Sequence, residues 1–126
     1  MTRKASCVIF VFLKEELFLA ERRPEHESID PGKLALPGEH VEHGESLEQA
    51  LIRGCREELD VEPTKYWLFF QQRYLTERED QDCYYYAVTG WKGTIRQVEA
   101  GELAWIRLDE RHLVETGIDR NAIFHL

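Results

Sequence analysis

The chain of 126 residues has 43% hydrophobic residues and a formal net charge of −8, which suits one domain over residues 1–126 with a single core. The negative charge argues against a nucleic acid polymer as partner, because such binding needs a basic surface. No apolar run approaches the roughly 18 residues of a membrane span, so we expect no membrane partner.

The chain opens with a predicted β-hairpin. The apolar, β-rich segment 5–13 and the segment 17–22 flank the polar residues Lys14-Glu15-Glu16, which is typical of two strands and their turn. The first residues, MTRKASCVIFVFLKEE, combine a basic start with a short apolar run but contain no small-residue cleavage site. We therefore interpret them as a buried first strand rather than a signal peptide.

A loop and broken strand segments are predicted next. Prolines and a glycine mark the loop over residues 23–32, and residues 34–41 read as short strand segments interrupted at Pro37-Gly38. A helix is then predicted to begin after Gly44-Glu45. Ser46 is a suitable N-cap, and Gln49 completes a capping-box pattern. The apolar face of this helix follows a spacing of three and four residues and consists of Leu47, Ala50, Leu51, Cys55 and Leu59.

The second half is mainly predicted strand. Residues 66–76 and 82–91 read as strands joined by a polar turn over 77–80, and residues 103–108 as a further strand. Short helices are expected over 109–115 and 119–126. Many strands with one strong central helix indicate an α+β fold.

The three cysteines, at positions 7, 55 and 83, are widely spaced and form no CxxC motif. This pattern predicts free thiols and a reducing cytoplasmic location rather than a disulfide framework or a zinc site.

The end of the central helix is unusually acidic. Glu57 and Glu58 are adjacent, about 100° apart around the helix axis, and a hard cation such as Mg²⁺ would relieve their repulsion. The alternative is a solvated helix end in which Arg53 pairs with Glu57 at i, i+4.

The segment LPGEHVEHGESLEQALIRGCREELDV, residues 36–61, resembles the Nudix box of the MutT-type pyrophosphohydrolases. That pattern reads G-x5-E-x7-R-E-U-x-E-E-x-G-U, where U is aliphatic. The matching residues are Glu45, Arg53, Cys55, Glu57, Glu58 and Val61. Three positions depart from it: the opening Gly is Glu39, the Glu after the Arg is Gly54, and the late Gly is Asp60.

The resemblance implies roles for the matching residues. Glu45, Glu57 and Glu58 are implied metal ligands, Glu58 with a catalytic role, and Arg53 is implied to orient the glutamates. The backbone carbonyl of Gly38 either faces the metal or belongs only to a tight turn.

In many family members, position 54 is a glutamate that binds the metal or acts as the general base. In this chain the position is Gly54, so that carboxylate is absent. Two acids in the loop before the Trp105 strand could replace it. Glu99 has the MutT-type spacing to Trp105 and is a candidate ligand or base, and Glu102 is a second candidate base. Both could also be exposed loop acids.

The sequence indicates the substrate-binding residues less clearly than the metal ligands. Arg22 and Arg23 lie in a segment that resembles the second strand of MutT-type members, in which an arginine approaches the phosphates. Asp119 resembles an acid that reads a base edge, or it is simply an N-cap.

The resemblance implies a Nudix-type α/β/α sandwich around a mixed β-sheet. It implies Mg²⁺-dependent hydrolysis, with Mn²⁺ as the alternative ion, of a nucleoside diphosphate linked to another group, foremost a nucleoside triphosphate. Because of Gly54, the alternative function is a nucleotide-binding module with little or no catalysis. Either way the partner is a small nucleotide derivative, and the oligomeric state stays open, a homodimer included.

Overall fold

Seven strands and one long helix form the frame of the computed structural model, which describes residues 2–126. The strands are β1 (Arg3–Lys14), β2 (Leu17–Arg22), β3 (Leu34–Ala35), β4 (Gly38–His40), β5 (Glu62–Leu75), β6 (Glu79–Lys92) and β7 (Glu102–Arg107). Helix α1 (Leu47–Leu59) lies between β4 and β5 in the chain. A 3₁₀ helix (Leu108–Leu113) and helix α2 (Gly117–Ile123) follow β7.

Strand β1 is the centre of a mixed sheet. It runs parallel to β6, from Arg3 opposite Glu79 to Phe12 opposite Val88. It also pairs antiparallel with β4 and, at its end, with β2. The sheet continues outward from β6 to β5, and from β2 to β3 and β7, always antiparallel. The predicted α+β class with a mixed sheet is confirmed.

The two faces of the sheet carry separate cores, rather than the single core that the length and composition predicted. Side chains of β1 alternate between them, so Val8 and Phe10 join the core under α1 while Ile9 and Val11 join the core next to α2. A strand covered on both faces needs apolar residues at successive positions. This explains the apolar run at the start of the chain and produces the α/β/α layering.

Both ends of α1 follow from local chemistry. The predicted capping box is present: Ser46 Oγ accepts a hydrogen bond from Gln49 N at 3.1 Å, and Gln49 Oε1 accepts one from Ser46 N at 2.8 Å. The helix ends at Asp60, which is left-handed with φ 60° and ψ 37°. Glycine is the usual residue in this conformation, although Asp tolerates it. The departure from the Nudix box at position 60 therefore concerns the helix end and not the chemistry.

Several predicted boundaries were wrong. Strand β6 begins at Glu79, so the last two residues of the predicted turn over 77–80 belong to the strand, and α2 spans Gly117–Ile123 rather than residues 119–126. Strand β5 begins at Glu62 rather than residue 66, because Pro63 is tolerated in a strand that pairs on one side only. The N-cap of α2 is Thr116, so Asp119 lies inside its first turn and is not the N-cap. Across residues 2–126 the structure contains no helix of the length and apolarity that crossing a membrane requires.

A buried carboxylate joins β6 to its neighbours. Glu79 accepts hydrogen bonds of 2.8 Å each from Arg3, His40 and Gln81. Burial acts to raise its pKa, but these hydrogen bonds outweigh burial and lower the pKa of Glu79 to about 2.

We expect the unfolding free energy of the wild type to fall more steeply in acid than that of Glu79→Gln. Because the folded-state pKa is depressed below the ordinary 4.5, the stabilisation is complete above pH 4.5 and is lost as the pH falls towards 2. Urea unfolding at about pH 6 and about pH 3 should show the gap between the two proteins narrowing by about 1–3 kcal/mol. Parallel pH profiles would contradict this.

Candidate active site

A cleft with a cavity volume of about 190 Å³ opens at one face of the sheet. Its walls come from β1, β2, β4 and β6, from the loop after β2 and from the start of α2. The lining is strongly acidic, and its carboxylates are Glu21, Glu27, Asp30, Glu39, Glu58, Glu99 and Asp119. Arg23 is the lining arginine. Such a cleft repels a free phosphate anion unless a cation accompanies it.

Three of these carboxylates meet at one point. Oxygens of Glu39, Glu58 and Glu99 all lie within 4.8 Å of one another. Glu58 Oε2 is buried and has no hydrogen-bond partner among residues 2–126. Burial, followed by repulsion from Glu39 and Glu21, raises the pKa of Glu58 to about 8. Hard oxygen donors that repel one another, one of them without a partner, fit a divalent cation such as Mg²⁺.

Backbone contacts hold the two sequence-predicted members of this cluster together. Glu58 lies in the last turn of α1, and its carbonyl accepts a hydrogen bond from Val98 N at 3.1 Å. The carbonyl of Leu59 accepts another from Arg96 N at 2.9 Å. The loop before β7 is thereby tied to the end of the helix, which places Glu99 beside Glu58.

The same loop depends on a residue that the sequence did not single out. Glu21 Oε2 accepts a hydrogen bond of 2.7 Å from Gly101 N, and both residues are buried. A Cβ at Gly101 would lie 1.8 Å from the carbonyl oxygen of Arg22. Only glycine fits this approach of the loop to β2.

Arg53 organises two of the other predicted glutamates. Its Nε donates to Glu45 Oε2 at 2.7 Å and its Nη1 to Glu57 Oε2 at 3.1 Å, while Nη2 donates to the carbonyl of His40 at 2.7 Å. Hydrogen bonds from Arg53, ahead of one from the Glu42 backbone, lower the pKa of Glu45. Both glutamates are therefore bonded to Arg53 and do not belong to the three-carboxylate cluster, and their ligand roles stay predictions.

The remaining predicted residues divide between the cleft and the surface. Gly38 lines the cleft, and a Cβ there would lie 2.9 Å from the carbonyl oxygen of Val8, so the close approach of β4 to β1 requires glycine. Glu102 is exposed on β7 opposite Arg22 and does not belong to the cluster.

The two adjacent arginines face different surroundings. Arg23 lines the cleft and donates from Nε to the carbonyl of Ile29 at 2.9 Å. Arg22 is exposed and donates from Nη1 to Glu115 Oε1 at 2.7 Å and to Gly32 O at 2.8 Å. Arg23 is therefore the better placed of the two to meet a bound anion.

Asp119 is buried at the floor of the cleft. Oδ1 accepts a hydrogen bond from the Tyr85 hydroxyl at 2.7 Å, and Oδ2 accepts from Leu36 N at 3.1 Å and from Thr116 Oγ1 at 2.8 Å. Burial raises its pKa, against the effect of these hydrogen bonds. The predicted substrate-binding residue thus also holds β6, the segment before β4 and α2 together.

The floor of the cleft also contains a row of side chains that the sequence did not assign to a site. His40, Cys7 and Cys83 are register partners on β4, β1 and β6, and all three line the cleft. The three cysteines are free, as predicted, and all are buried. Nothing in the one-dimensional spacing of positions 7, 40 and 83 indicates that they meet, because the strand pairing is long-range.

Comparisons with known proteins agree with this geometry. Residues 1–125 match the family model of the NUDIX domain. The chain is 28% identical over 93 residues to the 8-oxo-dGTP diphosphatase of Escherichia coli (strain K12). The aligned region covers 74% of this chain and 70% of that protein.

Solved structures share the fold. A MutT NUDIX hydrolase from Burkholderia pseudomallei superposes with a TM-score of 0.86 at 21% identity, covering 98% of both chains. The E. coli ORF135 protein gives a TM-score of 0.82 at 21% identity, covering 98% of this chain and 89% of that one. The family-model match spans nearly the whole sequence, and the chain belongs to the NUDIX domain family.

Proposed function

We propose that this protein is a Mg²⁺-dependent pyrophosphohydrolase that acts on a nucleoside diphosphate linked to another group, with nucleoside triphosphates as the first substrates to test. The observation that carries the proposal is the cluster of Glu39, Glu58 and Glu99, which lies in the cleft wall. One buried carboxylate oxygen of this cluster has no hydrogen-bond partner within the described part of the chain, residues 2–126. Water is the co-substrate, and the broken bond is a phosphoanhydride.

The electrostatics of the cleft support a metal-delivered substrate. Seven carboxylates line it beside Arg23, so a triphosphate alone would be repelled. A bound Mg²⁺ would supply charge neutralisation of the phosphate oxygens and would lower the pKa of a water bound to it. Mn²⁺ has the same preference for oxygen ligands.

The protein's own groups would bind and orient the substrate. The carboxylates of Glu58 and Glu99 would hold the cation, and an unprotonated carboxylate among them would accept the proton from the attacking water. Arg23 would meet a phosphate oxygen at the opposite wall. Arg53 would orient Glu45 and Glu57, which would serve as further ligands.

The choice of substrates to test follows from the relatives. The E. coli relative is named for 8-oxo-dGTP, so this compound belongs in the first assay beside the unmodified nucleoside triphosphates. The second candidate function, a nucleotide-binding module with little or no catalysis, is favoured by one observation: Gly54 leaves α1 without the carboxylate of the Nudix box.

We expect pyrophosphate release from one or more nucleoside triphosphates to require Mg²⁺. Removing the metal with EDTA should reduce the rate on the order of 10²–10⁴-fold, since the cation contributes several kcal/mol of charge stabilisation. Excess Mg²⁺ should restore it. Coupled detection of pyrophosphate and of phosphate identifies the bond that is cleaved.

The same samples discriminate the two functions. A thermal shift with nucleotide and Mg²⁺ but no turnover would identify a binding module and overturn the enzyme proposal. Turnover that is unaffected by EDTA would overturn the metal dependence.

A further inference from the structure

Position 54 faces a strand rather than open space. Gly54 lies buried in α1, and a Cβ built on it would be 3.0 Å from Glu39 Cβ and 3.0 Å from Phe10 Cε1. Real Cβ atoms rarely come so close to other carbons. A side chain at position 54 therefore requires Glu39 and Phe10 both to shift by a few tenths of an ångström.

The carboxylate of Glu39 lies close to two other acids of the site, where α1 has no carboxylate at position 54. It comes within 4.8 Å of ligand oxygens of both Glu58 and Glu99, although it belongs to a different element from either. Its backbone is fixed by the pairing of β4 with β1, opposite Val8. Glu39 is half-buried, and burial raises its pKa.

A separate observation indicates that this group of oxygens lacks a partner. Glu58 Oε2 is buried and accepts no hydrogen bond from residues 2–126. Buried polar oxygens are nearly always partnered, because an unpartnered one costs free energy. A cation shared with Glu39 and Glu99 would supply the missing partner.

We propose that Glu39 is a ligand of the catalytic metal and supplies from β4 the carboxylate that position 54 of α1 lacks. The inference rests on the proposed function for the identity of the site. It also joins two departures from the Nudix box into one exchange: a Gly-to-Glu change at position 39 and a Glu-to-Gly change at position 54. The close approach of the two positions gives a physical reason for such an exchange, since side chains at both positions crowd each other.

The first test measures metal binding directly. Metal-free wild type, Glu39→Gln and the control Glu48→Gln are titrated with Mn²⁺, and free Mn²⁺ is followed by its electron paramagnetic resonance signal. Glu48 lies on α1, the helix that carries Glu58, is exposed, and accepts a hydrogen bond from the Tyr66 hydroxyl instead of facing the cluster. We expect Glu39→Gln to raise the Mn²⁺ Kd about tenfold or more and Glu48→Gln to leave it within about twofold. An unchanged Kd in Glu39→Gln overturns the proposal.

The second test exchanges the two positions. Glu39→Gly should lose Mn²⁺ affinity as Glu39→Gln does, and adding Gly54→Glu to it should recover a large part of that affinity. Gly54→Glu alone should lower Tm by about 3 °C or more, because its Cβ meets both Glu39 and Phe10. The loss of Tm should be smaller in the Glu39→Gly background, which a double-mutant cycle measures. Additive effects on Tm together with no recovery of Mn²⁺ affinity would overturn the exchange.

Failure of this inference is distinguishable from failure of the proposed function. If the wild type hydrolyses nucleotides but Glu39→Gln binds Mn²⁺ and turns over like the wild type, the function stands and Glu39 is not a ligand. If Glu39→Gln loses Mn²⁺ affinity but the wild type turns over no nucleotide, the ligand assignment stands and the catalytic proposal fails.

Discussion

Glu58→Gln is expected to abolish most pyrophosphate release, by about 10²–10⁴-fold, without unfolding the protein. The substitution keeps the shape of the side chain but removes the charge that would hold the cation, whose contribution is several kcal/mol. Glu58 is the member of the cluster with the buried, unpartnered oxygen. Of the three carboxylates in the cluster, Glu58 is therefore the one whose substitution should reduce the rate of pyrophosphate release most.

Stability should move in the opposite direction from activity. In the metal-free protein, burial and the neighbouring Glu39 and Glu21 raise the pKa of Glu58, which shows that its charged form is disfavoured there. A neutral amide avoids this cost. We therefore expect the metal-free Glu58→Gln variant to have a Tm at least as high as that of the wild type at neutral pH.

The comparison of variants decides between a metal ligand and a structural residue. Activity with saturating substrate and Mg²⁺, the Mn²⁺ Kd and the metal-free Tm should be measured for the wild type, Glu58→Gln and the control Glu48→Gln. A large drop in Tm with a proportional drop in activity would mean that Glu58 supports the fold. Full activity in Glu58→Gln would remove it from the site.

Local patterns predicted the elements that local chemistry decides. The capping box of Ser46 and Gln49 and the apolar spacing of α1 predicted this helix correctly, because both depend on residues within a few positions of one another. Strand β2 was predicted with its observed limits because a charged turn and a loop rich in proline bound it. The start of β5 was missed because the sequence alone does not show that Pro63 lies in a strand that pairs on one side only.

The cleft was harder to predict because it is assembled from long-range contacts. Parallel pairing of β1 with β6 brings Cys7 next to Cys83, and no spacing rule links these positions. Glu21 likewise meets Gly101 only because β2 pairs with β7.

The exchange between positions 39 and 54 was visible in the sequence as two unrelated departures from the Nudix box. Comparing a pattern one position at a time treats each departure as a loss. In the structure the two positions face each other, because a Cβ built on Gly54 would lie 3.0 Å from the Cβ of Glu39. The available signal was a glutamate gained at position 39 and a glutamate lost at position 54. Only the packing of β4 on α1 shows that these two changes concern the same place.

Asp119→Ala is expected to destabilise the protein by about 2–4 kcal/mol, the largest stability effect that we predict for a polar residue of the cleft. Removing the carboxylate leaves the Tyr85 hydroxyl, the Leu36 amide and the Thr116 hydroxyl without the partner that each now has. Buried donors that lose their acceptor cost about 1–3 kcal/mol each when no water replaces it. Water from the cleft would replace part of the loss, which sets the total below the simple sum.

The control for this prediction is Asp109→Ala. Asp109 is exposed and bonds Arg107 at 2.7 Å, and exposed ion pairs contribute about 0–1 kcal/mol. Urea unfolding of the two variants and the wild type at neutral pH should therefore separate them clearly. KM for the best nucleotide substrate, measured where Asp119→Ala is still folded, tests the predicted contact with the base. If Asp119→Ala raises KM but unfolds at the same urea concentration as the wild type, then Asp119 serves the substrate alone. If it loses stability while KM is unchanged, its carboxylate serves only to hold Tyr85, Leu36 and Thr116 in place. A combined loss is the result we expect, because a residue at the floor of the cleft that fixes three of its walls also fixes the shape that the base must fit.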